Sequence, residues 1–210
     1  MTENPTRVIE FANVSCVEDG RTVLEGVTMA VRAGEVVALT GAARAGKTRV
    51  LEMALGQRPP ASGTVSVLGQ APAVGVAEVR AQLGSVGEAP EFPPFLRVDD
   101  VLDIHRALNT RWDSERATAL LDRLAVSRRA LAGSLTLRER RRLALVCAVA
   151  STPEILVIDE AEGDTEETAV LIEAALKATA TERPAILYAT RADAPPVGRA
   201  VKLPESARPG

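Results

Sequence analysis

The chain has 210 residues, 46% of them hydrophobic, and its 25 Lys and Arg against 28 Asp and Glu leave a net charge of −3. That suffices for one large α/β domain with a full core but not for two nucleotide-binding units, and it supplies no bulk attraction to nucleic acid. The longest apolar run, residues 143–150, falls far below the ~18 residues of a membrane-spanning helix. Two distant cysteines without metal-type spacing, Cys16 and Cys147, and a polar start without an apolar leader lead us to expect a reducing, cytosolic setting.

In chain order, residues 7–14 and 23–31 alternate as strands about the polar turn Glu18-Asp19-Gly20-Arg21, which predicts a hairpin and a small antiparallel sheet. The next strand, Val36-Val37-Ala38-Leu39, runs into Gly41-x-x-x-x-Gly46-Lys47-Thr48, and a helical pattern of Val50, Leu51, Met53, Ala54 and Leu55 follows. This spacing between strand and helix is that of a phosphate-binding loop. Its glycines let successive backbone N–H groups wrap an anion, the helix N-terminus directs its dipole at it, Lys47 serves the β/γ-phosphates and the Thr48 hydroxyl serves Mg²⁺. Lys47 is one of only three lysines in the chain. Residues 57–63 read as a loop, 64–68 as a strand, and Val86 ends another short one. The proline-rich stretch 87–100 carries Phe92 and Phe95, which either pack within the loop or dock a partner. Residues 98–108 and 114–124 show helical spacing, an all-helical insertion; His105 lies inside it with no second ligand at i±3 or i±4 and is assigned to packing.

Thr136-x-x-Glu139 has the spacing of a capping box, and the helix that follows becomes wholly apolar toward residue 150. Arg138, Arg140, Arg141 and Arg142 crowd its first turns, where the dipole disfavours each cation by about 0.3–1 kcal/mol. A choice that opposes local stability hints at anions or a partner. Residues 154–160 form a hydrophobic strand that ends in Asp159 and Glu160. A buried parallel strand reads this way, and acids at its carboxyl end fall where α/β sheets place ligands: one can hold Mg²⁺, the next can orient or deprotonate a water. A helix over 168–180, a core strand over 185–190, a short strand over 200–203 and a polar tail over 204–210 complete the prediction.

Over residues 7–203 the chain resembles the nucleotide-binding subunit of an ATP-binding cassette (ABC) transporter, in its order of hairpin, GAARAGKT, helical insertion, capped helix, ASTPEILVIDE and AILYATR. The resemblance implies one α/β domain over 1–210 of the P-loop NTPase class and ABC type. A mainly parallel core sheet, a small N-terminal antiparallel β subdomain and a helical subdomain over about 90–150 would compose it. It further implies a nucleotide on residues Gly41, Ala42, Ala43, Arg44, Ala45, Gly46, Lys47, Thr48 and Arg49. Thr48 and Asp159 would serve Mg²⁺, and Glu160 would polarise the attacking water. ATP and Mg²⁺ are the implied cofactors; a membrane permease and a second nucleotide-binding subunit are the implied partners, with no nucleic acid. The chain would then sit on the cytoplasmic face of the membrane.

Other family positions depart. The stretch 16–20 has no aromatic to stack on adenine, and the γ-phosphate-sensing glutamine is Glu88. The signature loop Leu-Ser-Gly-Gly-Gln becomes Leu135-Thr136-Leu137-Arg138-Glu139, and the switch histidine becomes Arg191. Arg44 replaces a middle glycine of the phosphate loop, and Arg49 replaces a second hydroxyl residue. Base stacking is worth about 1–3 kcal/mol, so its loss predicts weaker binding and blurred ATP/GTP preference. Two damaged signatures in a homodimer favour a heterodimer instead. The sequence leaves open weak or asymmetric hydrolysis, a non-hydrolysing pseudo-ATPase, and a different P-loop enzyme such as a small-molecule kinase, for which no acceptor site is evident.

Overall fold

The alternation expected of residues 7–31 becomes two long paired strands, β1 (Arg7–Glu18) and β2 (Arg21–Arg32). The computed structural model describes residues 6–72, 77–160, 164–179, 183–191 and 197–203. The remaining elements are β3 (Val36–Gly41), α1 (Lys47–Ala54), β4 (Ser62–Val67), α2 (Ala77–Arg80), β5 (Leu83–Val86), α3 (Val98–Leu108), α4 (Ser114–Arg123), a 3₁₀ turn (Ala132–Ser134), α5 (Leu137–Ala150), β6 (Ile155–Ile158), α6 (Thr165–Ala178), β7 (Ala185–Arg191) and β8 (Arg199–Lys202). They form two compact units, residues 1–80 with 185–210, and residues 81–184. The polar tail expected at 204–210 lies outside the described residues.

In the first unit, Asp19 and Gly20 both adopt positive φ (49° and 74°), the geometry that lets a two-residue turn follow the right-handed twist of its strands. β1 pairs antiparallel with β2 on one side and β4 on the other. Ile9, Phe11, Val14 and Cys16 bury the same face as Leu24, Val27, Met29 and Val31. The strands exceed their predicted lengths because Asn13, at φ 51°, introduces an irregularity that the pairing then resumes beyond. β3 pairs parallel with both β7 and β8. With a neighbour on each edge, Val37, Ala38 and Leu39 are fully buried, which is why this strand reads as a continuous apolar run.

In the second unit β5 and β6 pair in parallel from Leu83↔Ile155 to Val86↔Ile158, and every side chain of β6 is buried. α5 buries every residue from Leu143 to Ala150, packing against β5, α4 and α6. The spacing predicted α3 and α4 at their observed starts. α6 begins three residues earlier than the apolar pattern indicated, at Thr165, because Asp164 caps it by accepting from Glu167 N. The last strand likewise shifts one residue, to Arg199–Lys202.

Candidate functional site

In the first unit β3 delivers Gly41 to a turn closed by Ala45 N donating to the Ala42 carbonyl at 3.2 Å. A Cβ on Gly41 would lie 3.0 Å from the Ala45 Cβ, so the small residue sets how tightly the chain can reverse. Gly46, the N-cap of α1, sits at φ 85° and offers no side-chain cap; α1 also has no acid in its first turn. The positive end of its dipole is therefore left for an external anion. Lys47 Nζ donates to the Gly41 and Ala42 carbonyls at 2.9 Å each, drawing the ammonium back over the loop. Thr48 is half-buried, and Ala42, Ala43 and Arg44 are exposed, Arg44 in the left-handed region at φ 65° where a glycine would be unstrained. An open helix N-terminus beneath a lysine fits a nucleotide's phosphates.

Arg49 has a further engagement that its sequence position did not disclose. It ion-pairs with Glu18 (2.8 Å) and Glu52 (2.9 Å), and Arg58 pairs with the same two acids at 3.3 and 2.9 Å. The stretch 16–20 that lacks an aromatic thus ends in a four-residue charge network. Only the Arg49–Glu52 pair, three apart on one helix, was open to sequence reasoning.

In the second unit β6 stops at Ile158, short of the strand expected over 154–160, and runs directly into Asp159, whose N–H donates to the Val86 carbonyl at 2.8 Å, and Glu160; both acids are half-buried. Glu160 Oε1 accepts a hydrogen bond from the Thr165 hydroxyl. Among the described residues no group of three or more His, Cys, Asp or Glu could hold a metal ion. An acid such as Asp159 acting with phosphates and water fits Mg²⁺, which keeps several waters and takes few protein ligands. Glu88 is exposed just beyond β5. Arg191, exposed at the end of β7 in the first unit, pairs in register with Gly41 of β3.

The stretch 135–139 forms the start of α5. Thr136 is its N-cap, accepting from Glu139 N at 3.3 Å, while Glu139 Oε2 accepts from Thr136 N and Oγ1 at 2.8 Å each. These bonds, that from the Thr136 backbone N–H foremost, hold the Glu139 carboxyl below its ordinary range. Leu135 is buried and Leu137 exposed. The arginines that follow do not make an exposed basic patch. Arg138 is bidentate to Asp164 (2.8 and 3.0 Å), Arg142 is bidentate to the buried Glu167 (2.7 and 2.9 Å), and Arg141 is fully buried. The dipole penalty is offset by acids that lie 25 and 26 residues further along the chain. His105 contacts Trp112 at 6.5 Å between ring centroids, and burial lowers its pKa, in keeping with packing. Phe95 is 76% exposed, whereas Phe92 is half-buried. Among the described residues no helix is long and apolar enough to cross a membrane.

Comparison with known proteins agrees with these local geometries. The family model described as ABC transporter matches residues 24–163. The Nod factor export ATP-binding protein I of Sinorhizobium fredii is 32% identical over 160 residues, 72% of this chain and 46% of that protein. That of Burkholderia orbicola is 31% identical over 157 residues, 72% of this chain and 52% of that protein. The chain thus spans about half the length of the curated relatives it matches. A solved ATP-binding subunit of an ABC transporter superposes with a TM-score of 0.74 at 25% identity, over 88% of this chain and 79% of that one. A putative ABC transporter ATP-binding protein from Pyrococcus furiosus shares the fold, with a TM-score of 0.78 at 21% identity over 94% of this chain and 98% of that one. The chain belongs to the ABC transporter family, as one of its ATP-binding domains.

Proposed function

We propose that this chain is the ATP-binding component of an ABC transporter that binds Mg-ATP on residues 41–49 and couples weak or asymmetric hydrolysis to a separate membrane permease. The single observation that carries this reading is the contrast between two helix N-termini. α1 has no side-chain cap and no acid in its first turn, and Lys47 lies over it, so it can take phosphates. α5 is closed by its own capping box, with Arg138 committed to Asp164, so it has little left to offer a second subunit's nucleotide. The chain would then work with a different nucleotide-binding subunit that carries an intact signature, and would sit on the inner face of the cell membrane through the permease. Bound Mg²⁺ would neutralise the β/γ-phosphates. Thr48 and Asp159 would hold it, Glu160 would orient the attacking water, and Glu88 and Arg191 occupy the sensor positions. The 1–210 stretch would act as a single nucleotide-binding domain with a helical subdomain over about 90–150.

A second reading, a non-hydrolysing pseudo-ATPase with a structural or regulatory role, draws on the same closed α5 terminus and on Arg191 in place of a histidine. The two are separated by hydrolysis of Mg-ATP with and without a partner that supplies an intact signature. Slow turnover that rises with the partner and vanishes in Glu160→Gln, while ATP binding persists, supports the first; removing such a base costs roughly 10²–10⁴-fold. Turnover that is brisk alone and unchanged by the partner would refute the asymmetric scheme, and none under any condition leaves the pseudo-ATPase.

A further inference from the structure

Arg141 is the largest fully buried side chain among the described residues, and neither the cap of α5 nor its ion pairs account for it. Its Nη2 donates to the Asp159 carbonyl at 2.6 Å and to Thr168 Oγ1 at 3.4 Å. Among the described residues its Nε and Nη1 are buried and find no hydrogen-bond partner. A buried guanidinium with two idle donors is a costly choice where a neutral amide could make the same bond to the carbonyl. The surrounding charges suggest what offsets the cost. Burial lowers the Arg141 pKa, and the attraction of Asp164, Glu167, Asp159 and Glu160 opposes that effect. Asp164 and Glu167 each already carry a bidentate arginine, Arg138 and Arg142. Asp164 and Glu167 attract the third positive charge most, but its short bond goes to the Asp159 carbonyl, which sets that charge directly beneath the acids that follow β6. Glu160 is held at the same time by the Thr165 hydroxyl, which fixes its carboxylate within this arrangement.

Resting on the reading of Asp159 as a residue of the Mg²⁺ shell, we propose that Arg141 is a positioning residue that stabilises the metal-free form of the acid-bearing strand end. Its buried guanidinium is the internal counter-charge of the Asp159–Glu160 pair and so lowers that pair's affinity for Mg²⁺. A fixed charge at low effective dielectric acts on a divalent ion over several ångströms and is poorly screened by salt. Mg²⁺ must overcome this repulsion, so the chain would commit to Mg-nucleotide only at higher Mg²⁺ than a neutral residue at position 141 would require.

The test is a Mg²⁺ titration of fluorescent ATP-analogue binding to the full chain, together with metal-free thermal unfolding, in wild type, Arg141→Gln and Arg141→Lys. Gln keeps a donor for the Asp159 carbonyl and removes the charge; Lys keeps the charge. The Mg²⁺ concentration for half-maximal binding should fall roughly tenfold or more in Arg141→Gln and stay within about threefold of wild type in Arg141→Lys. Metal-free nucleotide binding should stay the same in all three. Should Arg141→Gln not fold, Arg141→Met carries the same expectation, because an apolar side chain of similar length leaves no donor unpaired. An unchanged Mg²⁺ requirement in the uncharged variants, with Mg-nucleotide still bound, overturns the role of Arg141 alone. Absence of Mg²⁺-dependent binding that needs Lys47 in the wild type overturns this inference and the proposed function together.

Discussion

Replacing Lys47 by Ala tests the loop at the one side chain whose ammonium has to change partners. In the nucleotide-free chain its Nζ donates to the Gly41 and Ala42 carbonyls at 2.9 Å each. On binding, those neutral acceptors are exchanged for charged phosphate oxygens. The ammonium is charged in both states, so what it gains on binding is the Coulomb attraction of the phosphate, about 1 kcal/mol at 4 Å in water and about 4 near a protein surface, or roughly 2–3 kcal/mol on this partly exposed loop. Lys47→Ala should therefore weaken binding about 30- to 150-fold. The two lost bonds lie on a partly exposed loop, so the apo protein should lose no more than about 1 kcal/mol, a shift of roughly 2–4 °C in Tm. Calorimetric titration with Mg-ATP, paired with thermal unfolding of the apo variant, reads both quantities. Binding within about threefold of wild type, under ~0.7 kcal/mol, would refute the assignment of the loop. A large drop in Tm would instead show Lys47 to be a structural tie.

The capping box of α5 supplies a pH signature. Hydrogen bonds from Thr136, the backbone one first, depress the folded pKa of Glu139. Its stabilisation is therefore present above the unfolded value of about 4.3 and is lost as pH falls through the lower folded value. Between pH 5 and 3 wild type should lose more stability in urea than Glu139→Gln, and parallel acid profiles would contradict this. Phe95→Ser should leave Tm nearly unchanged, since Phe95 is 76% exposed, yet release the chain from membranes if the 87–96 loop docks the permease; Phe92→Ser, at a half-buried site, should also cost stability. Retention of both variants on membranes would leave the loop with packing alone. Neither thiol should react with a disulfide reagent in the native state. Cys16 and Cys147 are 2% and 3% exposed, and burial pushes the Cys147 thiol up to about 12. Rapid native labelling of either would show that its element opens.

The parts of the site that could be read from the sequence are those whose chemistry is contiguous. The phosphate loop is eight consecutive residues between a strand and a helix, and the acid pair ends a hydrophobic strand, so spacing alone carries both. The capping box was equally local, four residues with both reciprocal bonds formed as expected. The missed features join positions far apart: Arg141 to Asp159 over 18 residues, Arg142 to Glu167 over 25, Arg138 to Asp164 over 26, Glu18 to Arg49 over 31. Periodicity could not orient Arg141 either. α5 is apolar on all sides after Arg142, so no stripe marks which side of its first turns faces inward. Glu167 falls just before the helix expected over 168–180, so no pattern marked it as inward-facing, although it is 2% exposed.

On the proposed alignment, the departures from the family pattern would bear on activity through their surroundings more than through their identities. A signature that had merely decayed would leave Arg138 and Glu139 as loose surface side chains at the start of α5. Instead Glu139 closes a complete capping box and Arg138 forms a bidentate pair with the residue that caps α6. The same helix sends Arg142 to a buried glutamate and Arg141 to the carbonyl of Asp159. The substituted residues thus tie α5 to the segment that runs from the acid pair into α6, and each bond has a partner of matching charge or polarity. On that alignment, losing a glycine there would cost the approach of an outside phosphate and gain internal rigidity. The loop at 41–48 shows the opposite pattern, since Arg44 keeps a strained left-handed backbone and the helix after it has no side-chain cap. Backbone strain and a helix end without a side-chain cap fit the proposal that a ligand supplies the missing partner there. Within one chain, then, the α5 terminus is complete in itself, while the α1 terminus, on the proposed reading, is completed by an anion. That division is what a subunit needs if it lends its loop to a partner's signature and offers none in return.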